Sequence, residues 1–105
     1  MVDATQFFTE TLPRKLAANP SVAPGVNAIY QFNIDGAGVW TVDLTQGAGV
    51  IREGADSNAG CVIGASKSDF EALLENPSSA MMMYMSNKLT ISNLGLAMSL
   101  QKIFS

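Results

Sequence analysis

The side chains able to do covalent or acid–base chemistry are few in this chain, and none has a partner at a suggestive spacing. There is no histidine, so a Ser–His or Cys–His nucleophile would have no base. The single cysteine, Cys61, cannot fill a His/Cys metal site or close an internal disulfide. It is compatible with a reducing compartment. Cys61 falls in an expected strand with nothing basic close in sequence to lower its pKa, so it reads as a buried, inert thiol. Gly36-x-Gly38 leads into a strand, the reverse of the context that a dinucleotide fingerprint needs. Asp35 and Asp43 lack the spacing of a Ca²⁺ loop and read as a turn residue and a solvated strand position. No pair of carboxylates is placed for general acid–base work. The residues therefore point to no catalytic group, no metal and no cofactor, and the chemistry left to the chain is non-covalent.

The stretch that could carry such chemistry is Ala80-Met-Met-Met-Tyr-Met85, which holds four of the six methionines. Methionine is long, unbranched and polarizable, and suits a surface whose partner varies. A well-specified core prefers Leu, Ile, Val and Phe. Composition leaves two readings open: an adaptable piece of core, or a compliant wall for an apolar ligand.

The chain's balance of residues narrows the classes. Its 105 residues make one domain, spanning 1–105. Apolar residues make up 48% and charged residues 14%, against about 25% charged in a typical domain. So little charge implies that apolar surface is covered by a partner or wrapped around something apolar. The net charge is −3, and no basic run extends beyond Arg14-Lys15, which argues against nucleic acid and against purely electrostatic membrane binding. The start lacks the basic and apolar regions of a signal peptide. No apolar run approaches the roughly 18 residues of a membrane span. The expectation is a soluble, cytoplasmic protein.

The elements follow from the periodicities. Asp3 can cap a helix from Ala4 to Ala18 with Phe8, Leu12 and Leu16 on one face, kinked or restarted at Pro13. Asn19-Pro20 and Pro24-Gly25 mark a loop. Alternation then begins: Ala28, Tyr30, Phe32 and Ile34 share one face of a strand, and Trp40, Val42 and Leu44 share one face of the next. Asp35 to Gly38 is a hairpin loop. Gly49 to Glu53 and Gly60 to Ala65 read as two more strands, and successive hairpins imply an antiparallel meander. Ser66 or Ser68 caps a helix, with Ser68 and Glu71 at capping-box spacing. Ser78-Ser79 can cap the methionine helix. Leu89 to Ser92 is a last short strand. In the final helix, Asn93 to Phe104, Leu96, Ala97, Leu100, Ile103 and Phe104 form one apolar stripe. Leu94 and Met98 form a second. A helix that only covers a sheet needs one such stripe, so the second must meet protein, ligand or another chain.

Taken in order, these segments resemble the sterol carrier protein 2 (SCP-2) domain family. The resemblance rests on Val26-Asn-Ala-Ile-Tyr-Gln-Phe-Asn-Ile34, on Trp40-Thr-Val-Asp-Leu44 with Gly47-x-Gly49, and on Ser68-Asp-Phe70. It rests most strongly on Lys88-Leu-Thr-Ile-Ser-Asn93 leading into Leu96-Ala-Met-x-Leu-Gln101. It runs from about Phe7 to Phe104. The resemblance implies an α+β fold: a five-stranded, mostly antiparallel sheet covered on one face by helices, with an apolar tunnel between sheet and helices. It implies a non-catalytic carrier of fatty acids, fatty acyl-CoA, sterols or phospholipids, with the last helix lying over the tunnel.

Carried over by position, Trp40 matches an aromatic near the cavity. Met81, Met82 and Met85 fall in the helix that walls the tunnel, and Met98 matches a cavity-facing position of the last helix. The face pattern adds Phe32, Val42, Leu89, Ile91 and Leu94. Lys88 and Lys102 are the candidate contacts for a lipid headgroup. Where the family usually has Gly-Lys-Leu-Lys, this chain has Asn87-Lys88-Leu89-Thr90, one basic residue fewer for a polyanionic head. The expected partners are a lipid ligand and, transiently, a membrane, with the chain a monomer or weak homodimer. The alternative is a protein-interaction or homodimerisation module that uses the methionine face.

Overall fold

Asp3 begins the helical layer. Its Oδ1 accepts the Gln6 N–H at 2.9 Å, satisfying one of the unpaired donors of a helix start. The computed structural model describes residues 3–47 and 49–104, and their side chains except those of 77 and 100–104. In it helix α1, residues 4–18, has three pieces: α-helical Ala4–Gln6, a π turn Phe7–Thr11, and α-helical Leu12–Ala18. Pro13 lies at the start of the third piece. It has no N–H and crowds the turn before it, and the helix widens there, with Leu12 donating to the Phe7 carbonyl. The disturbance expected at Pro13 is therefore a wider turn, and both Phe7 and Phe8 are buried on it.

The loop expected after α1 contains a helix, α2, Val22–Val26. Pro24 is tolerated because the first turn of a helix has N–H groups without intrahelical partners in any case. Asn27, in the left-handed region at φ 50°, closes it.

Five strands follow: β1 Ile29–Asp35, β2 Gly38–Asp43, β3 Val50–Glu53, β4 Cys61–Ser66 and β5 Leu89–Ile91. Their order across the sheet is β3-β2-β1-β4-β5. Three pairings are antiparallel, but β1 and β4 run parallel. This corrects the expected four-strand meander. Residues 54–60 do not turn back beside β3. They cross the sheet's outer face to its other side. Gly54 donates to Val39 O at 2.8 Å, Asp56 donates its N–H to Gln31 Oε1 at 3.1 Å, and Gly60 donates to Ile29 O at 2.9 Å. The crossing also buries Thr41, whose hydroxyl donates to Gly54 O at 2.7 Å. Asp43, expected to be solvated, is buried as well. It accepts from the Thr45 N–H and hydroxyl and from Gln46 Nε2, and these bonds, the hydroxyl's first, hold its carboxyl below the usual carboxylate range.

Helix α3, Lys67–Glu75, is capped by Ser66, whose Oγ accepts from Asp69 N at 3.1 Å. The Ser68–Glu71 capping box does not form. Glu71 instead accepts the Ala4 N–H at 2.9 Å, a tertiary bond that ties the start of α1 to α3. A 3₁₀ turn, Pro77–Ser79, leads into α4, Ala80–Met85. Asn93 caps α5, Leu94–Phe104, accepting from Leu96 N at 3.1 Å. No described helix is long and apolar enough to cross a membrane.

The core is the helix-facing side of the sheet. Tyr30, Phe32, Trp40, Val42, Ile63 and Leu89 meet Phe7, Phe8, Leu12, Phe70 and Leu73 there. Each fully buried apolar side chain contributes roughly 1.5–3 kcal/mol. Gly49 sits at φ +116°, and a Cβ there would lie 2.8 Å from Leu16 Cδ1. A glycine is therefore what lets α1 approach the sheet at this point.

Tyr30 is fully buried, and its hydroxyl donates to Leu96 O at 2.7 Å, pinning α5 to the sheet. Burial, reinforced by the nearby Cys61, pushes its phenol from an ordinary 10.0 up to about 12. Below the unfolded value the phenol is neutral in both states. Between there and about pH 12 the unfolded chain loses this proton and the folded chain keeps it, so stability falls as pH rises. Thermal melts across that window should show the fall, and Tyr30→Phe should flatten its slope.

Candidate functional site

The groove between sheet and helices has a floor of strand residues. Phe32 on β1, Ile63 on β4, and Leu89 and Ile91 on β5 point to the helical side because strand side chains alternate. One wall is α4, through Ala80, Met81 and Tyr84, with Leu73 of α3 behind it. The other wall is the first two turns of α5, through Leu94, Ala97 and Met98. The described lining contains no charged side chain, and Tyr84 brings its one hydroxyl. The cavity volume, as space open to water centres, is only about 40 Å³, within a total free space of about 490 Å³ that includes the open mouth. The groove is therefore nearly closed. Its mouth is soft: Met81, Leu94 and Met98 are 45%, 38% and 59% exposed.

The structure brings together Phe32, Met81, Leu89, Ile91, Leu94 and Met98 of the residues singled out in the sequence. It places five others elsewhere. Met82 and Met85 are 71% and 77% exposed and face away from the groove. On so short a helix, residues 80, 81 and 84 share the groove side, while Met83 turns into the core. Val42 is fully buried and does not reach the groove. Trp40 stacks on Phe8 at 5.2 Å and donates from Nε1 to Ala37 O at 2.9 Å. It lines a second cavity, of about 390 Å³, between α1 and the β2–β3 edge. Lys88 is exposed, next in sequence to Leu89 and outside the lining. The side chain of Lys102 lies outside the described residues, as do those of Leu100, Ile103 and Phe104 in the expected stripe.

Ile63, Leu73, Ala80, Tyr84 and Ala97 line the groove without having been singled out. Two carried a usable signal: Ile63 alternates with Cys61 and Ala65, and Tyr84 lies three residues after Met81. Cys61 is buried behind the start of α5, its Sγ 3.4 Å from Asn93 O, and burial pushes its thiol up. A protonated, enclosed thiol is a poor nucleophile. The described lining residues carry no carboxylate, amine or thiol. What the groove offers is dry, adaptable surface.

Comparison with known proteins points the same way. Residues 8–105 match the model of the SCP-2 sterol transfer family. The human protein named sterol carrier protein 2 is 38% identical over 87 residues, covering 74% of this chain and 15% of that protein. The chain thus spans a small fraction of the length of the curated relatives it matches. Among solved structures, sterol carrier protein 2 from Yarrowia lipolytica, in its apo form, superposes with a TM-score of 0.72 at 26% identity, over 90% of this chain and 84% of that one. The sterol carrier protein domain 2 of Helicoverpa armigera superposes with a TM-score of 0.75 at 19% identity, over 94% of this chain and 83% of that one. The second likeness speaks for the fold alone.

Proposed function

The chain belongs to the SCP-2 sterol transfer family, and from that membership we propose that it carries single lipid molecules, unreacted, in the groove between β4–β5 and α4–α5. The observation that supports this most directly is a largely apolar lining drawn from six elements, with its soft residues at the mouth. Fatty acids are the proposed principal class, with acyl-CoA, sterols and phospholipids as further ligands.

The energetics fit a carrier. Each methylene removed from water contributes about 0.8 kcal/mol, so a chain of roughly 16 carbons gains about 10–13 kcal/mol. Association and ordering cost about 4–15 kcal/mol. The difference allows uptake and release. The groove is nearly closed, so uptake requires Met81 and Met98 to swing and α5 to shift. Methionine adapts to such changes with little strain. Hydrophobic attraction is non-directional, which supports broad selectivity. Lys88, beside the groove residue Leu89, is the described cation best placed in sequence for an anionic head.

Native mass spectrometry of the delipidated chain mixed with palmitate tests this. One palmitate per chain is the expected result, and a fluorescent fatty acid already bound should be displaced by palmitate. A chain that takes up no fatty acid, sterol or phospholipid overturns the reading.

A further inference from the structure

The groove and the second cavity are separated by a layer of aromatic rings, Phe32, Phe8 and Phe70. Phe32 lines the groove, and Phe8 and Trp40 line the second cavity. The Phe8 ring lies 5.2 Å from Phe32, to which it is tilted, and 5.2 Å from Trp40, on which it stacks. Phe70 stacks on Phe8 at 5.4 Å and closes the layer from α3. The second cavity is the roomier of the two, about 390 Å³ against about 40 Å³, and the more open to solvent.

The rings are not held alike. Phe32 is fixed on a central strand paired on both sides. Trp40 is fixed by its bond to Ala37 O, and Phe70 belongs to the regular helix α3. Phe8 stands on the π turn of α1, a helix distortion that recurs at functional sites. It borders the larger free volume, as Trp40 does.

We infer that Phe8 is a length gate: its ring swings toward the second cavity and lets the end of a long acyl chain pass from the groove into that cavity. Short chains stay in the groove, and long ones thread past Phe32 and lie against Trp40. The methyl end leads. A carboxylate entering the groove would lose its water to an uncharged lining. The second cavity does not invite an anion either, because its Arg52 is already paired with Asp56 and Glu53 stands beside it. The head therefore remains at the Met81–Met98 mouth. This inference rests on the lipid-carrier reading and adds to it the part of the molecule that sets the acceptable chain length.

The chain's single tryptophan is the reporter. Palmitate brominated at its terminal carbon should quench Trp40 emission strongly, and octanoate brominated at its terminal carbon should bind and leave most of it. Ala17→Phe, on the exposed side of the second cavity, should weaken palmitate about tenfold, the factor lost when roughly two methylenes fail to bury. It should leave octanoate unchanged, and Phe8→Leu should narrow the difference between the two acids in quenching. Binding of both acids with Trp40 unquenched, or equal losses of both in Ala17→Phe, overturns the gate while leaving the carrier reading in place. Binding of neither acid overturns the gate, and refusal of sterol and phospholipid as well overturns the carrier reading with it.

Discussion

Ala97→Trp should lower palmitate affinity by about two orders of magnitude, the effect of keeping roughly three or four methylenes in water. Ala97 sits in the wall that α5 presents to the sheet, between Leu94 and Met98 at the mouth and Ile91 on the floor. An indole there occupies the space that the chain must enter. The position is half-exposed and helical, so the larger side chain can lean outward during folding and the melting temperature of the empty protein should change little. Fluorescent fatty-acid titration gives the affinity, and circular dichroism checks the fold. Undiminished binding by a folded Ala97→Trp protein would remove α5 from the site.

The contrasting variant is Met82→Glu. Methionines 81, 82, 83 and 85 are equivalent by composition, yet Met82 is 71% exposed and lies outside the lining. A carboxylate there remains in water, and palmitate affinity should stay within about threefold of the parent, a difference under 1 kcal/mol. The pair separates the groove from the methionine surface as a whole. A large loss in Met82→Glu would show that the outward methionines take part in uptake.

That contrast also shows what was legible in the residues and what was not. The two stripes of the last helix could be counted, and Leu94 and Met98 do line the groove while Leu96 packs on the core, but Ala97, counted with Leu96, lines the groove beside them. The alternation through Tyr30, Phe32 and Ile34 marked the buried face of β1. The methionine run resisted such reading because every helical face of Ala80–Met85 is apolar, so periodicity cannot select the inward side. Only the position of α4 over β5 decides it. Trp40 was assigned to the cavity by resemblance, but the strand register puts it opposite Phe32 on the side away from β4 and β5, so it faces the other cavity. The parallel β1–β4 pairing was hidden for a related reason. Hairpin signals report contacts near in sequence, whereas residues 54–60 look like a turn and act as a crossing, held by bonds to Val39, Gln31 and Ile29. The helix Val22–Val26 was hidden by Pro24 and Gly25, which usually end helices and here sit where the missing N–H costs nothing.

Phe70→Ala should destabilise the fold by about 3–5 kcal/mol, the range for removing a large aromatic from a core. The upper part of that range is expected. Phe70 is fully buried, with Phe7, Phe8 and Phe32 all within 5.8 Å of its ring centre. Phe7 and Phe8 ride on α1 and Phe32 on β1, elements bonded along their own lengths, so the hole left behind cannot close without moving a helix. Aromatic pairs of this geometry add about 0.5–1.5 kcal/mol each beyond the area they bury. A domain of this size holds about 5–15 kcal/mol in all, so the variant remains folded but close to its limit. With a slope of about 2 kcal/mol per molar urea, the midpoint should fall by about 2 M. Phe70 does not line the groove, and this separates its role from that of Ala97. Saturating palmitate should still raise the midpoint of Phe70→Ala, because a ligand that binds only the folded state stabilises it by mass action, and it should raise that of Ala97→Trp far less. If Phe70→Ala lost the palmitate increment too, Phe70 itself would belong to the binding surface and not only to the frame that holds α1 and α3 over the sheet.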